Sequence, residues 1–468
     1  MCGCLFRWCA SCFVDSALIR KYNIPGPRYT SYPTVPYWEE TPAIDAWIKG
    51  IGAALAESER IGRGAAIYIH IPFCEQLCTF CGCNTRITKK HERGIPYVQT
   101  VIAELALYYQ ALGRTAPIPV AELHLGGGTP TWLSPEELRV LMTGIFQYIV
   151  PIKGAELSFE ADPRVTTPAH LEMLAQLGFR RLSFGIQDFD PKVQEIVNRV
   201  QSLAQVATLT REARALGFSS INYDLIYGLP LQTAGSVTNT IAEVRRLKPD
   251  RIAFYAYAHI PWIKPGQRKY TESDLPDGDA KRALYELGRA MLEEAGYREI
   301  GMDHFALPSD SLWQAVEKRT LHRNFMGYMP KDVHPMISLG CSAIGDAWTM
   351  FAQNLKEVEA YEESVAAGTL PIFKGHVLSP EDLILRRHTL NLMTRFETGW
   401  HAAEHYTDYL EEIPARLAEA VADGLVILTS HSATITPEGR PFLRNICMAF
   451  DARLSRKSPN TRIFSKTM

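Results

Sequence analysis

The sequence predicts an α/β fold, a partial (β/α)6-type barrel followed by a mostly helical C-terminal domain. From about residue 64, short apolar runs alternate with longer amphipathic stretches, which is the rhythm of a parallel sheet. Beyond about residue 378, this rhythm gives way to mostly helical patterns. We therefore expect an N-terminal arm and lead-in over residues 1–63, a barrel over residues 64–377 and a C-terminal cap over residues 378–468.

Six short apolar runs are candidate barrel strands, and helical patterns separate them. The predicted strands are Ala66–His70, Glu122–Leu125, Glu156–Glu160, Arg181–Gly185, Ile221–Leu225 and Arg251–Tyr257. The predicted helices are Tyr97–Leu112, Pro135–Ile149, Leu203–Leu216, Ala234–Leu247 and Asp279–Ala295, and a short strand follows near Tyr297–Ile300. In barrels of this kind the C-terminal ends of the strands carry the chemistry.

The end of the chain predicts a small helix–hairpin–helix unit. A helix over Leu417–Asp423 stops at Gly424, and two strands and a further helix follow it, at Leu425–Thr429, Ala433–Thr436 and from Pro437. This unit resembles a winged-helix element, but no basic stripe for reading DNA accompanies it. We therefore expect a lid packed over the barrel mouth.

The overall composition is that of an ordinary globular enzyme. The chain has 468 residues, is 46% hydrophobic and 21% charged, and carries a net charge of −2, which excludes a general attraction to nucleic acid or anionic membranes. No apolar run approaches the ~18 residues of a membrane span. The ten cysteines are clustered, which indicates metal binding in a reducing cytoplasm and not a disulfide scaffold.

Four of these cysteines follow the first predicted strand, in the stretch Cys74-Glu-Gln-Leu-Cys78-Thr-Phe-Cys81-Gly-Cys83. The spacing C-x-x-x-C-x-x-C differs from the paired C-x-x-C motifs of a zinc ribbon. Because a 4Fe–4S cluster normally takes one thiolate per iron, three close thiolates leave one iron open for chemistry. A zinc site and incidental buried cysteines are the alternatives.

Polar residues also follow the later strands. The run Gly126-Gly-Gly-Thr-Pro130 lets a ligand approach the backbone closely, although such runs are also common in tight turns. Glu160 ends the third strand, Gln187 follows the fourth and Asp224 ends the fifth. Alone, Glu160 and the neighbouring Asp162 are more typical of solvated carboxylates.

Other polar groups give weaker signals. His70 lies in a strand pattern that predicts an interior histidine with satisfied hydrogen bonds and no catalytic role. The segments Met302-Asp-His304-Phe and Leu321-His-Arg323-Asn-Phe each offer polar groups in apolar settings and are substrate-pocket candidates. A second group, Cys2, Cys4, Cys9 and Cys12, is either a metal site or an arm with incidental thiols. Cys341 and Cys447 are expected to be ordinary buried thiols.

The cysteine spacing resembles the signature of the radical S-adenosylmethionine (SAM) enzymes, which implies a radical SAM barrel. Further strings resemble the oxygen-independent coproporphyrinogen III oxidases, and the resemblance runs from about Tyr22 to near the C-terminus. These strings are Tyr22–Pro33, Arg181–Phe189, Asp224–Pro230, Gly301–Phe305, His322–Phe325 and Arg444–Cys447. One segment, Asp346–Phe351, departs from the family pattern, so the substrate wall there is expected to differ.

The resemblance implies the reaction and its cofactors, a 4Fe–4S cluster and SAM. A 5′-deoxyadenosyl radical would remove hydrogen from a propionate of coproporphyrinogen III, and loss of CO2 and an electron would leave a vinyl group. Repetition on a second propionate gives protoporphyrinogen IX in haem biosynthesis. The implied protein is a cytoplasmic monomer served by a flavodoxin- or ferredoxin-like low-potential electron donor. A haem-binding chaperone and a radical SAM tetrapyrrole methyltransferase or haem-cleaving enzyme are the alternatives.

The resemblance also implies the site residues. Cys74, Cys78 and Cys81 would ligate the cluster, while Cys83 matches a family cysteine that is not a ligand. The matches for the cluster-bound SAM are Tyr68, Gly127 and Glu160, and those for a second SAM are Phe80, Gly128, Thr129, Gln187, Arg199, Asp224, Ala258 and Ile344. No catalytic residue beyond the cluster is assigned.

The N-terminal arm Tyr22–Pro33 is expected to close over the substrate. Its prolines and glycine favour an extended path. Arg28, Tyr22, Tyr29 and Tyr32 suit the propionates and flat faces of a porphyrinogen. The alternative is a structural strap that holds the barrel.

Overall fold

The computed structural model describes residues 16–457 and 464–467. The strands are β1 Ala65–Ile71, β2 Phe73–Cys74, β3 Arg86–Ile87, β4 Ile118–Gly127, β5 Ile149–Ala161, β6 Arg181–Gln187, β7 Ser220–Tyr227, β8 Arg251–Ala256, β9 Arg298–Gly301, β10 His304–Ala306, β11 His322–Asn324, β12 Gly327–Met329, β13 Met336–Leu339, β14 Ile344–Asp346, β15 Met350–Asn354, β16 Ile372–Val377, β17 Glu397–Gly399, β18 Val426–Leu428 and β19 Ser432–Ile435.

The described residues also form sixteen α-helices. They are α1 Ser16–Tyr22, α2 Ile44–Arg60, α3 Gly94–Ala111, α4 Pro135–Ile145, α5 Pro168–Gln176, α6 Pro191–Ile196, α7 Leu203–Ala215, α8 Ala234–Leu247, α9 Gly278–Glu294, α10 Ser311–Glu317, α11 Val358–Ala366, α12 Pro380–Arg395, α13 Ile413–Arg416, α14 Ala418–Ala422, α15 Leu443–Ala449 and α16 Ala452–Arg456. Within the described ranges, none of them is both long and apolar enough to cross a membrane.

Twelve strands form one sheet, in the order β16-β15-β14-β13-β1-β4-β5-β6-β7-β8-β10-β9. The seven consecutive strands from β13 to β8 are parallel, and the outer strands are antiparallel to their neighbours. Among the described residues, the edge strands β16 and β9 do not pair with each other, so the barrel is partial. The predicted α/β fold and its six parallel strands are confirmed, and β13 adds a seventh.

The barrel follows from the local sequence. Strand β1 is buried on both faces, as a continuous apolar run predicts for a central parallel strand. Helix α4 begins at a capping box, in which the Ser134 side chain accepts from the Glu137 N–H and the Glu137 carboxylate accepts from the Ser134 N–H. Apolar side chains of the sheet and its helices form the largest core, which includes Trp47, Tyr97 and Phe159.

Several predicted boundaries were wrong. Helix α4 ends at Ile145 and not at Ile149, where β5 begins. The first half of β5 is largely exposed, so it carries no periodic apolar signal that marks a strand. Helix α5 had not been predicted, and the short strand expected near residue 297 is the antiparallel edge strand β9.

The C-terminal region combines helices with a small sheet in the order β17-β19-β18. The predicted hairpin is present as β18 and β19, and the predicted helix Leu417–Asp423 is present as α14, which follows the separate short helix α13. The last predicted helix begins at Leu443 and not at Pro437. A second apolar core joins this region to the N-terminal arm through Tyr29 and Tyr32.

Candidate active site

The cysteine loop follows β1 and packs closely on the glycine run that ends β4. Gly127 has a φ of +118°, which favours glycine, and the Gly128 N–H donates to Ile71 O at 2.7 Å. A Cβ on Gly128 would lie 2.6 Å from Pro72 O, so a side chain there would push the loop away. Thr129 Oγ1 lies 3.3 Å from Cys74 Sγ and ties the two segments together.

The three predicted ligand cysteines line one cavity of about 260 Å³ together with most of the predicted SAM residues. Its walls come from the loop after β1 and from the ends of β4, β5, β6 and β7, so the predicted convergence at the C-terminal strand ends is observed. The predicted residues on this cavity are Cys74, Cys78, Phe80, Cys81, Gly127, Gly128, Thr129, Glu160, Gln187, Arg199 and Asp224.

The electrostatic environment differs among the three thiols. Burial raises the pKa of Cys74 to about 12. A hydrogen bond with the Cys83 side chain lowers the pKa of Cys81 to about 6, so Cys81 ionises more readily than Cys74. Two guanidinium groups approach Cys78 Sγ, Arg164 Nη2 at 3.4 Å and Arg199 Nη1 at 3.5 Å. Cations this close to a candidate cluster ligand would offset negative charge, so the donor set fits an anionic iron–sulfur cluster.

Asp162 holds both of these guanidinium groups in place. Its Oδ2 lies 2.7 Å from Arg164 Nη2 and 3.0 Å from Arg199 Nη1. Asp162 is buried, so the interpretation of this residue as a solvated carboxylate was wrong. The arginines keep its pKa below the ordinary value despite the opposing effect of burial. Sequence reasoning also missed Arg164, whose only signal was its place two residues after Asp162.

A second cavity of about 410 Å³ adjoins the first and shares Cys83, Gly127 and Glu160 with it. Tyr68 and Ile344, predicted for SAM, lie on this second cavity. Glu160 stands at the junction, where its Oε2 accepts from the Gly127 N–H at 3.2 Å. The carboxylate therefore faces both spaces.

His70 has partners for both ring nitrogens, Tyr68 Oη at 3.1 Å and Asn84 O at 3.0 Å. It is buried, and desolvation lowers its pKa. The prediction of a satisfied interior histidine is confirmed.

Asp224 lies in the C-terminal half of β7, Gln187 ends β6 and Ala258 follows β8. Ser183 Oγ and Asn222 Nδ2 donate to the Asp224 carboxylate, and burial raises its pKa to about 6. Gln187 adopts a φ of +68°, a strained conformation of the kind found at functional sites. Ala258 lines neither cavity, but its carbonyl accepts from Gln267 Nε2 at 3.1 Å, which also donates to Phe80 O.

Beyond Asp224, Tyr255 connects the first cavity to two arginines and a histidine. The Arg28 guanidinium lies 5.9 Å from the Tyr255 ring and donates to Ala256 O at 3.0 Å. Tyr255 Oη is 3.3 Å from His304 Nε2, and the His304 ring packs on Tyr328. The Arg323 guanidinium lies 4.5 Å from the same Tyr328 ring.

Arg323 is buried, and its Nε and Nη1 have no hydrogen-bond partner among the described residues. His304 Nδ1 is likewise buried without a partner. Buried charges are normally paired, so these atoms indicate a site for an anion. His304 and Arg323, predicted only as pocket candidates, thus meet beside the cavity that the cysteines line.

The prediction for the arm was wrong for two of its tyrosines. Tyr29 and Tyr32 are buried in the second core, and Tyr29 Oη donates to Asp451 Oδ2 at 2.9 Å. Tyr22 Oη donates to Asp423 Oδ2 at 2.7 Å. The tyrosines therefore strap the arm to the C-terminal region, while Arg28 alone among the four reaches toward Tyr255.

Cys341 and Cys447 are fully buried thiols, as expected. In the departing segment Asp346–Phe351, Asp346 pairs with Arg386, whose guanidinium lies 4.2 Å from the Trp348 ring. Cys2, Cys4, Cys9 and Cys12 lie outside the described residues.

Comparisons with known proteins identify the family of this chain. The radical SAM superfamily matches residues 68–244. The oxygen-independent coproporphyrinogen III oxidase of Pseudomonas aeruginosa is 38% identical over 466 residues, covering 97% of this chain and 98% of the relative. Its Escherichia coli counterpart is 38% identical over 453 residues, covering 95% and 96%. The solved structure of the coproporphyrinogen III oxidase from Escherichia coli, described as a radical SAM enzyme, matches with a TM-score of 0.86 at 36% identity, covering 94% of this chain and 99% of that one. The chain therefore belongs to the oxygen-independent coproporphyrinogen III oxidases, a family of radical SAM enzymes.

Proposed function

We propose that this protein converts two propionate side chains of coproporphyrinogen III to vinyl groups without oxygen, giving protoporphyrinogen IX. Each conversion removes one hydrogen atom, one electron and CO2 from a propionate. One observation carries the proposal: the cysteine loop, Glu160 and Asp224 line a single cavity, and the buried guanidinium of Arg323 and the buried Nδ1 of His304 lie just beyond it.

Cys74, Cys78 and Cys81 would hold the 4Fe–4S cluster. Arg164 and Arg199 would offset its negative charge, because both reach Cys78 Sγ and both are oriented by Asp162. When bound, the cluster and SAM together supply one-electron reductive cleavage and a carbon-centred radical that abstracts hydrogen.

SAM carries an ammonium group, a carboxylate and ribose hydroxyls, and the cavity offers partners for each. Glu160 and Asp224 are acceptors for an ammonium group or for hydroxyls, and Arg199 is a donor for a carboxylate. Gly127 and Gly128 let the backbone approach closely. The volume shared around Glu160 supports the assignment of Tyr68, Gly127 and Glu160 to one SAM. Phe80, Gly128, Thr129, Gln187, Arg199, Asp224, Ala258 and Ile344 are proposed for the second.

The substrate carries four carboxylates, and we assign Arg28, His304 and Arg323 to them. Arg323 Nε and Nη1 and His304 Nδ1 are buried and have no partner in the part of the chain that the structure describes, and Arg28 is held over Tyr255 at the cavity wall. A propionate bound here would complete the hydrogen bonds of these donors. It would also place the porphyrinogen between the second core and the cysteine loop.

A low-potential donor of the flavodoxin or ferredoxin type would dock at the cysteine loop. Leu77 and Ile87 line the cluster cavity yet are each 42% exposed, and Lys89 and Lys90 are exposed nearby. This combination of an apolar spot and cationic groups suits an acidic electron-transfer protein. One chain supplies every wall of both cavities, which supports a monomer, and the free thiols of the described cysteines support a reducing cytoplasm.

The proposal is tested by an anaerobic reaction with reconstituted protein, SAM, a chemical reductant and coproporphyrinogen III, analysed by mass spectrometry. Vinyl products are expected from the parent protein and from Cys341→Ala, whose thiol lines neither cavity, but not from Cys78→Ser. A methylated tetrapyrrole would instead identify a methyltransferase. Stoichiometric haem binding without turnover would identify a chaperone, and either result would overturn the proposal.

A further inference from the structure

Two histidines and an aspartate meet at the end of the sheet opposite the cysteine loop. His322 begins β11, while Asp332 and His334 lie in the loop that leads into β13. One ligand atom from each residue lies within 4.8 Å of the other two. Pro335 O accepts from the Ala66 N–H, which places this loop at the N-terminal end of β1, whereas the cysteine loop follows its C-terminal end.

The polar atoms of this triad are poorly satisfied. His322 is 4% exposed, and within residues 16–457 and 464–467 neither its Nε2 nor either ring nitrogen of His334 meets a hydrogen-bond partner. His334 Nε2 nevertheless lies 3.1 Å from Asp332 Oδ1, and His322 Nδ1 lies 3.7 Å from the same oxygen. Unpartnered buried polar atoms are rare in native proteins and call for an explanation.

The nearby arginines that the structure describes do not pair with Asp332 Oδ1, the oxygen that faces the two histidines. Arg63 approaches the other oxygen, Oδ2, at 3.6 Å through a largely exposed side chain. Trp348 packs on His334 with ring centroids 5.0 Å apart, and the Arg386 beneath it is paired with Asp346.

We propose that His322, Asp332 and His334 bind one divalent transition-metal cation of the zinc class. Two imidazole nitrogens and one carboxylate oxygen form a common ligand set for such ions, and three protein ligands leave a position for water. The Asp332 side chain is 46% exposed, so the ion has a route from solvent.

The ion would tie the β11–β12 hairpin to the loop before β13. The turn of that hairpin carries Phe325 and Met326, which line the 410 Å³ cavity beside Glu160. Metal binding would therefore steady one wall of the cavity from the opposite end of the barrel. The site differs from the cysteine cluster in both its donor atoms and its location.

The test uses the full chain with its cluster reconstituted, so that the ligand cysteines are occupied. Protein dialysed against Zn²⁺ is analysed for zinc, and the parent is compared with Asp332→Asn and His334→Gln. His431→Gln, a substitution of an exposed histidine far along the chain, is the matched control. We expect the parent and the control to retain one more zinc ion than the two variants, and the affinity to fall more than about tenfold in each variant.

A Co²⁺ titration separates this site from residual thiols, since binding here should give weak visible bands without sulfur-to-metal charge transfer. Zn²⁺ should also raise the unfolding temperature of the parent and not that of Asp332→Asn. Equal zinc binding by the parent and both variants would overturn the proposal. A lower unfolding temperature for Asp332→Asn that is the same with and without zinc would indicate an ion pair only. The readout is metal binding and not turnover, so it is independent of the proposed reaction.

Discussion

Replacing Arg323 with methionine should weaken substrate binding without lowering the stability of the fold. The guanidinium is buried, and its Nε and Nη1 have no partner among the described residues, so each costs the fold about 1–3 kcal/mol. Its contact with the Tyr328 ring at 4.5 Å offsets about 0.5–2 kcal/mol. Arg323→Met, which preserves much of the packing volume, should therefore unfold at the same denaturant concentration as the parent or a higher one.

The affinity for the substrate should fall in Arg323→Met. Loss of one charge-assisted interaction with a propionate is worth about 1.5–3 kcal/mol, or about ten- to hundredfold in affinity. The assay is anaerobic turnover against coproporphyrinogen III concentration, with unfolding measured on the same samples. Arg319→Met, which removes an exposed arginine paired with Glu397, is the control and should change neither quantity. A large loss of stability in Arg323→Met with unchanged substrate dependence would show that the cation is structural and refute the reasoning.

Four further changes test other parts of the site. Cys78→Ser should abolish the visible absorption of the cluster and SAM cleavage together; full iron content with normal turnover would contradict the ligand assignment. Glu160→Ala should weaken SAM binding about ten- to hundredfold in equilibrium dialysis, since it removes a charged acceptor, and unchanged affinity would exclude this role. Because burial raises the pKa of Asp224 to about 6, its carboxyl gains a proton as the pH falls through that value, and SAM affinity should fall with it. In Asp224→Asn, SAM affinity should no longer depend on pH in this range. An unchanged pH dependence of SAM affinity would show that Asp224 does not contact SAM. Tyr29→Phe should lower the free energy of unfolding by about 1–3 kcal/mol through loss of its bond to Asp451, with the cluster absorption unchanged; unaltered stability would argue against the strap.

The central strands were predictable because burial on both faces leaves a continuous apolar run. Strand β1 is such a strand, and all six predicted strands lie in the parallel part of the sheet. The first half of β5 was missed because its exposed residues, such as Val150, carry no periodic pattern. The antiparallel strands β14 to β16 were also missed, and β14 has only three residues, which is too few for a periodic signal.

The site was predictable where a local motif or a strand end carried the chemistry. The cysteine loop, Gly127, Glu160 and Asp224 all satisfy that condition. The sequence did not indicate that Asp162 directs Arg164 and Arg199 onto Cys78, since this contact joins segments far apart in the chain. It also failed to separate Arg28 from the arm tyrosines, because side-chain direction depends on the second core that buries Tyr29.

The most direct test of the proposed reaction uses coproporphyrinogen III deuterated at the β-carbons of its propionates. Anaerobic turnover is followed by mass spectrometry of the tetrapyrrole and of the 5′-deoxyadenosine. We predict protoporphyrinogen IX with two vinyl groups and deuterium in the 5′-deoxyadenosine. Unlabelled 5′-deoxyadenosine together with an intact or methylated tetrapyrrole would contradict the account.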